Sequence, residues 1–156
     1  MKIIVAGAGA FGIKHLDALR NIKGVEVVAL VGRRLEPTRE TAQKYGVPHT
    51  FTELGEALAV KGVDAAILCT PTQIHAAQAI ECMKAGVHVQ VEIPLADSLA
   101  DAEAVNRVQK KTGRICMVGH TRRFNPSHQY LHKKIVAGEL GVQQMDVQTY
   151  FFRRSN

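Results

Sequence analysis

Three glycines near the start of the chain are spaced for phosphate chemistry. Lys2-Ile3-Ile4-Val5-Ala6 is an apolar, β-rich run that leads into Gly7-Ala8-Gly9-Ala10-Phe11-Gly12. A strand running into G-x-G-x-x-G and then a helix is the opening of a dinucleotide-binding unit. Gly7 allows the tight turn, Gly9 lets backbone amides approach a pyrophosphate, and Gly12 lets the following helix lie against the strand. The first helical turn, at Ala10 and Phe11, then faces the phosphates, where unpaired N–H groups and the helix dipole favour an anion.

A second chemistry-bearing pair follows. In NAD-binding versions of such a unit, an acidic residue about 20 positions beyond the glycines holds the adenine ribose 2′-hydroxyl. Twenty residues after Gly12 this chain has Gly32, then Arg33 and Arg34. Removing the carboxylate lifts its repulsion of a 2′-phosphate, and a guanidinium there makes bidentate, charge-assisted bonds to it. A hydrogen bond to a charged group contributes about 1.5–3 kcal/mol. One such contact favours NADP over NAD about tenfold or more, so NADP is the expected cofactor.

These residues need a frame that brings strand ends together. Short β-branched runs alternate with segments of helical spacing, which calls for parallel strands joined by crossover helices, an α/β doubly wound parallel sheet. The pattern predicts strands at 2–6, 25–31, 63–69, 87–91 and 115–118, with a short one near 49–51. Helices are predicted at 11–22, 37–45, 53–60, 74–85, 98–112 and 126–137. Pro37 and Pro126 fit first-turn positions, and Gly24, Gly46, Gly86, Gly113 and Gly138 fit helix stops. Ligands bind such sheets at the C-terminal strand ends.

The composition sets limits on class and compartment. With 46% hydrophobic and 22% charged residues in 156, the chain is a soluble globular domain rather than a disordered segment. The net charge of +6 is spread along the sequence without aromatic interleaving, so anionic small ligands, not nucleic acid, are the expected partners. Cys69, Cys82 and Cys116 form no C-x-x-C pair and sit in or beside apolar runs. They are expected to be buried thiols of a reducing cytoplasm. No apolar run reaches the 18 residues of a membrane span, and no metal site is expected.

Three further motifs fall at the ends of later strands: Cys69-Thr70-Pro71-Thr72-Gln73-Ile74-His75, Val91-Glu92-Ile93-Pro94-Leu95-Ala96 and Val118-Gly119-His120-Thr121-Arg122-Arg123-Phe124-Asn125-Pro126. In these motifs and the N-terminal fingerprint the chain resembles the glucose-fructose oxidoreductase, inositol dehydrogenase and rhizopine catabolism family. The resemblance implies a Rossmann NAD(P)-binding fold and a dehydrogenase acting on a CH–OH group. Within the family, the stretch from His88 to Arg154 is most similar to NADP-dependent enzymes of aromatic catabolism that oxidise a carboxylated cyclic hemiacetal. A small anionic carboxylate substrate is implied. By the family pattern Thr70, Pro71 and Thr72 border the nicotinamide, His75 begins the helix beneath it, and Glu92 approaches the nicotinamide ribose. Arg122 and Arg123 are expected to bind substrate carboxylates.

The catalytic base stays unassigned, with His120 the one weak candidate. The family usually has Glu-Lys-Pro where this chain has Glu92-Ile93-Pro94, and isoleucine cannot donate, accept or carry charge. Residues 1–138 are expected to form the dinucleotide-binding domain, and 139–156 the start of a truncated substrate or dimerisation domain. Val142 to Phe152 looks like the first strand of that α+β domain. Such a strand needs a partner, which leaves a homo-oligomer open. A non-catalytic NADP-binding module and a sugar or cyclitol dehydrogenase are the alternative functions.

Overall fold

A computed structural model describes residues 1–148, in two compact units that divide after His120. The first contains strands β1 (Lys2–Ala6), β2 (Glu26–Val31), β3 (His49–Phe51), β4 (Ala65–Leu68), β5 (His88–Val91) and β6 (Cys116–Val118). Its helices are α1 (Ala10–Leu19), α2 (Leu35–Tyr45), α3 (Leu54–Leu58), α4 (Thr72–Lys84) and α5 (Leu99–Thr112). All pairings are parallel, in the order β3-β2-β1-β4-β5-β6. This is the doubly wound sheet that the sequence pattern predicts, with its switch point between β1 and β4.

The period of two along β1 places the two cores. Ile3 and Val5 join Leu16 and Leu19 of α1 and Ala42 of α2 on one face. Ile4 and Ala6 join Leu54 and Ala57 of α3, Ala76, Ala79 and Met83 of α4, and Val105 of α5 on the other. Burial of a Leu or Ile side chain contributes roughly 1.5–3 kcal/mol; β1, β2 and β4 contribute to the cores on both faces, and β5 to one. Helices stop where left-handed glycines follow, as at Gly46 and Gly113. Ser98 caps α5 by accepting from the Asp101 amide.

The second unit carries a 3-10 turn (Thr121–Phe124) and α6 (Pro126–Val136). Asn125 caps α6 by accepting from the Ser127 amide, and Pro126 occupies the first turn. None of its described residues is buried.

Several expectations need correction. Of the strand expected over 142–152, residues 142–148 form none, and 149–152 lie outside the described residues. A strand exists by pairing, and no ladder partner for 142–148 is present among the described residues. Helix α4 begins at Thr72, two residues earlier than expected, because Pro71 has the extended backbone of an N-cap. Only Cys82 is fully buried; Cys69 and Cys116 are partly exposed, since both adjoin the strand ends or the outer strand rather than the sheet centre. No helix among the described residues is long and apolar enough to cross a membrane.

Candidate functional site

The parallel ladder delivers the ends of β1, β2, β4, β5 and β6 to one edge, where the candidate residues of the first unit lie. Gly7 follows β1 with φ +110°, and a Cβ there would lie 2.4 Å from the Cys69 carbonyl oxygen. Its N–H donates to Val31 O at 2.8 Å, tying the β1 turn to the end of β2. Gly12, the third residue of α1, packs so closely that a Cβ would lie 1.7 Å from the Gly7 carbonyl oxygen. Gly12 therefore serves helix–strand packing. Gly9 is different: a Cβ there would meet nothing within 4 Å.

A cavity of about 830 Å³ opens at this edge, with Gly7, Gly9, Arg33, Arg34, Thr70 and Pro71 in its wall. The shape and chemistry fit a nicotinamide dinucleotide on three observations. The open space at Gly9 admits a group against the backbone. Helix α1 starts without a side-chain cap and with no acidic residue in its first turn, which leaves its N-terminus suited to an anion. Arg33 and Arg34 are exposed, and neither joins an ion pair among the described residues. Thr38, Glu53, Gln78 and Glu81 also line the cavity and carry no spacing signal in the sequence. Ala10 and Phe11 are exposed at the start of α1, with Lys14 Nζ 5.1 Å from the Phe11 ring centroid.

The β4 and β5 turns are held by histidines. His75 does not begin its helix; it lies one turn inside α4 and is only 1% exposed. Its Nδ1 is 2.8 Å from Pro94 O and its Nε2 2.7 Å from Thr70 O. Thus His75 is not in the cavity wall but ties together the two turns that are expected to flank the nicotinamide. Thr70 Oγ1 donates to Gln78 Oε1 at 2.6 Å, fixing its side chain over α4. Thr72 is partly buried as the first residue of that helix.

Glu92, directly after β5, meets a partner that the sequence did not single out. His15 Nε2 lies 2.7 Å from Glu92 Oε1, with side chains 20% and 14% exposed. The signal was available only in part, as one histidine three places beyond Gly12 on α1. Gly119 closes the same corner, since a Cβ there would stand 3.3 Å from Glu92 Oε1. Ile93 is 52% exposed beside it, and the Ile93–Pro94 peptide is cis. His120 is exposed, and its backbone N–H donates to Val118 O at 2.8 Å.

No thiol here is a ready nucleophile. Burial, assisted by the Glu92 charge, pushes the Cys69 thiol up to about 12, and burial, assisted by Glu81, does the same for Cys82. Burial also raises Cys116. Among the described residues no group of three His, Cys, Asp or Glu side chains could hold a metal ion.

The second unit has its own cavity, of about 650 Å³, lined by Arg122, Arg123, His128, Gln129, His132 and Lys133. Among the described residues no carboxylate lines it. His128 and His132 were missed by sequence reading, although their spacing puts both on one helix face.

Comparisons with known proteins agree with this arrangement. The GFO/IDH/MocA model, described as an oxidoreductase family with an NAD-binding Rossmann fold, matches residues 1–120. A model for the C-terminal region of bacterial oxidoreductases matches residues 126–156. The chain is 69% identical, over its whole length and 50% of the relative, to 4-carboxy-2-hydroxymuconate-6-semialdehyde dehydrogenase of Sphingobium sp.. It is 32% identical to scyllo-inositol 2-dehydrogenase (NAD(+)) of Bacillus subtilis, over 90% of the chain and 42% of the relative. The crystal structure of a probable dehydrogenase from Thermotoga maritima superposes with a TM-score of 0.86 at 31% identity, covering 90% of this chain and 42% of that one. The chain thus spans about half the length of the curated relatives it matches.

Proposed function

This chain belongs to the GFO/IDH/MocA oxidoreductase family, and from that premise we propose that residues 1–120 bind the cofactor of an NADP-dependent dehydrogenase acting on a carboxylated cyclic hemiacetal. The observation that carries the reading is the 69% identity, over the whole chain, to 4-carboxy-2-hydroxymuconate-6-semialdehyde dehydrogenase. The corresponding reaction oxidises the hemiacetal carbon of that semialdehyde to a lactone, 2-pyrone-4,6-dicarboxylate. Bound NADP supplies the hydride acceptor. The protein must hold the dinucleotide, orient a multiply anionic substrate and accept the hydroxyl proton.

The chain's residues divide that work. Gly7, Gly9 and the α1 turn at Ala10 and Phe11 take the pyrophosphate, while Arg33 and Arg34 take the 2′-phosphate. Thr70, Pro71 and Thr72 border the nicotinamide, and Glu92, steadied by His15, hydrogen-bonds its ribose. His75 acts through the Thr70 and Pro94 carbonyls. Arg122 and Arg123 receive substrate carboxylates. His120 is the candidate proton acceptor in this chain, since Ile93 can perform no proton transfer. Thiols held protonated by burial suit a reducing cytoplasm.

A cyclitol substrate is the second reading, favoured by the inositol dehydrogenase relative. The cavity lined by Arg122, Arg123 and Lys133 without a carboxylate favours the acid, because a neutral polyol is better matched by carboxylates and amides. Titration of the chain with NADPH and NADH, followed by nicotinamide fluorescence or calorimetry, tests the cofactor reading. Tight NADPH-selective binding is expected, and binding of neither nucleotide would overturn it. Little turnover of the hemiacetal is expected from the 156-residue chain alone.

A further inference from the structure

We infer that Thr38 is a nucleotide-specificity residue: its buried side chain occupies the space beyond Gly32 and so keeps a ribose-binding carboxylate off the end of β2. The inference rests on reading Arg33 and Arg34 as ligands of the 2′-phosphate, and it explains why the position before them is glycine.

Gly32 is the first residue after β2, where NAD-binding sheets carry their acidic residue. Its φ is not in the left-handed region, so the backbone permits a side chain. Space does not. A Cβ on Gly32 would lie 2.2 Å from Thr38 Oγ1, 3.1 Å from Ala8 Cβ and 3.2 Å from Thr38 Cβ. Contacts under 3 Å force something to move, and Thr38 resists movement. It is 1% exposed, and its Oγ1 donates to Arg34 O at 2.7 Å, which holds the hydroxyl in one of the two χ1 rotamers open to a helical threonine. The Thr38 N–H donates to the same carbonyl at 3.3 Å.

Thr38 therefore has two effects on one turn. It bars a carboxylate from position 32, and it anchors the Arg34 backbone from which the arginines enter the cavity wall. A sequence with any small polar residue at 32 would lose the ribose ligand equally well. Glycine alone sits beside Thr38 without a shift of either residue.

Two sets of variants test this. In thermal melts, Gly32→Ala is expected to destabilise the chain, and Gly32→Ala/Thr38→Ala to be more stable than Gly32→Ala alone. A double variant no more stable than the Gly32→Ala single would overturn the inference, whether or not the single folds. In nucleotide titrations, Gly32→Asp/Thr38→Ala is expected to shift the NADH to NADPH affinity ratio at least tenfold toward NADH relative to Gly32→Asp. An equal ratio in the two would also overturn it. Should the unaltered chain bind both nucleotides equally, the NADP reading fails, while the coupling between positions 32 and 38 in the melts is decided separately.

Discussion

The two halves of the sheet build their shares of the binding edge by opposite means. In the half made by β1, β2 and β3, close approaches are backbone on backbone or backbone on side chain: Gly12 against the Gly7 carbonyl, Gly7 against the Cys69 carbonyl, Gly32 against Thr38. The cations there, Arg33 and Arg34, have no carboxylate partners among the described residues. In the half made by β4, β5 and β6 the turns carry Thr70, Glu92 and Pro94, and histidines tie them down. The contrast follows from what each half must hold. On the proposed function, the first half would meet a polyanion with bare amides and guanidinium groups, whereas the second would meet a ring and its ribose with polar side chains kept in place.

That contrast can be broken most forcefully at Gly12. Gly12→Ala drives a Cβ into the Gly7 carbonyl and is expected to cost about 4 kcal/mol or more. Gly9→Ala points into open space and should cost at most about 1 kcal/mol while weakening nucleotide binding. Urea unfolding of both variants checks this, and equal losses would show that the two glycines do not have separate duties. Next in size is His75→Ala. It removes a buried ring and the partner of two carbonyls, with an expected loss of about 3 kcal/mol. A loss near zero would mean that the β4 and β5 turns hold themselves.

Replacing Arg33 and Arg34 with Ala should lower NADPH affinity by about 2 kcal/mol, tens-fold, and leave NADH affinity nearly unchanged. Parallel losses for the two nucleotides would remove the 2′-phosphate assignment. The smallest effect sharpens the other half, which holds all three cysteines. Burial raises Cys82 from 9.0 to about 12, so the unfolded thiol ionises first. Its contribution is complete below pH 9 and is lost as pH rises toward 12, at about 1.4 kcal/mol per unit. Urea unfolding at pH 8, 9 and 10 should show stability falling above pH 9 through Cys82 together with the likewise raised Cys69 and Cys116, and Cys82→Ala should make that fall shallower without abolishing it.

Much of the fold was legible along the chain. The alternation of Ile3, Ile4, Val5 and Ala6 between two cores is a local property of an extended strand. The same holds for glycine stops after α2 and α5. The expected strand over 142–152 failed in its described part because apolar alternation states a need for a partner and does not supply one. His75 was read as a helix start because the Thr-Pro boundary hides how far the N-cap moves when Pro71 takes extended backbone. The chain divides into two compact units after His120, and none of the described residues of the second is buried.

The sequence by itself determined the alternation of strands and helices, the glycine turn and the arginines behind β2, because each depends on neighbours within one or two turns of chain. Only the tertiary structure decided that His15 meets Glu92 across 77 residues, that His75 bridges Thr70 and Pro94, and that Thr38 closes over Gly32. Those contacts depend on the order of strands and the depth at which each helix lies on the sheet, which no local periodicity encodes.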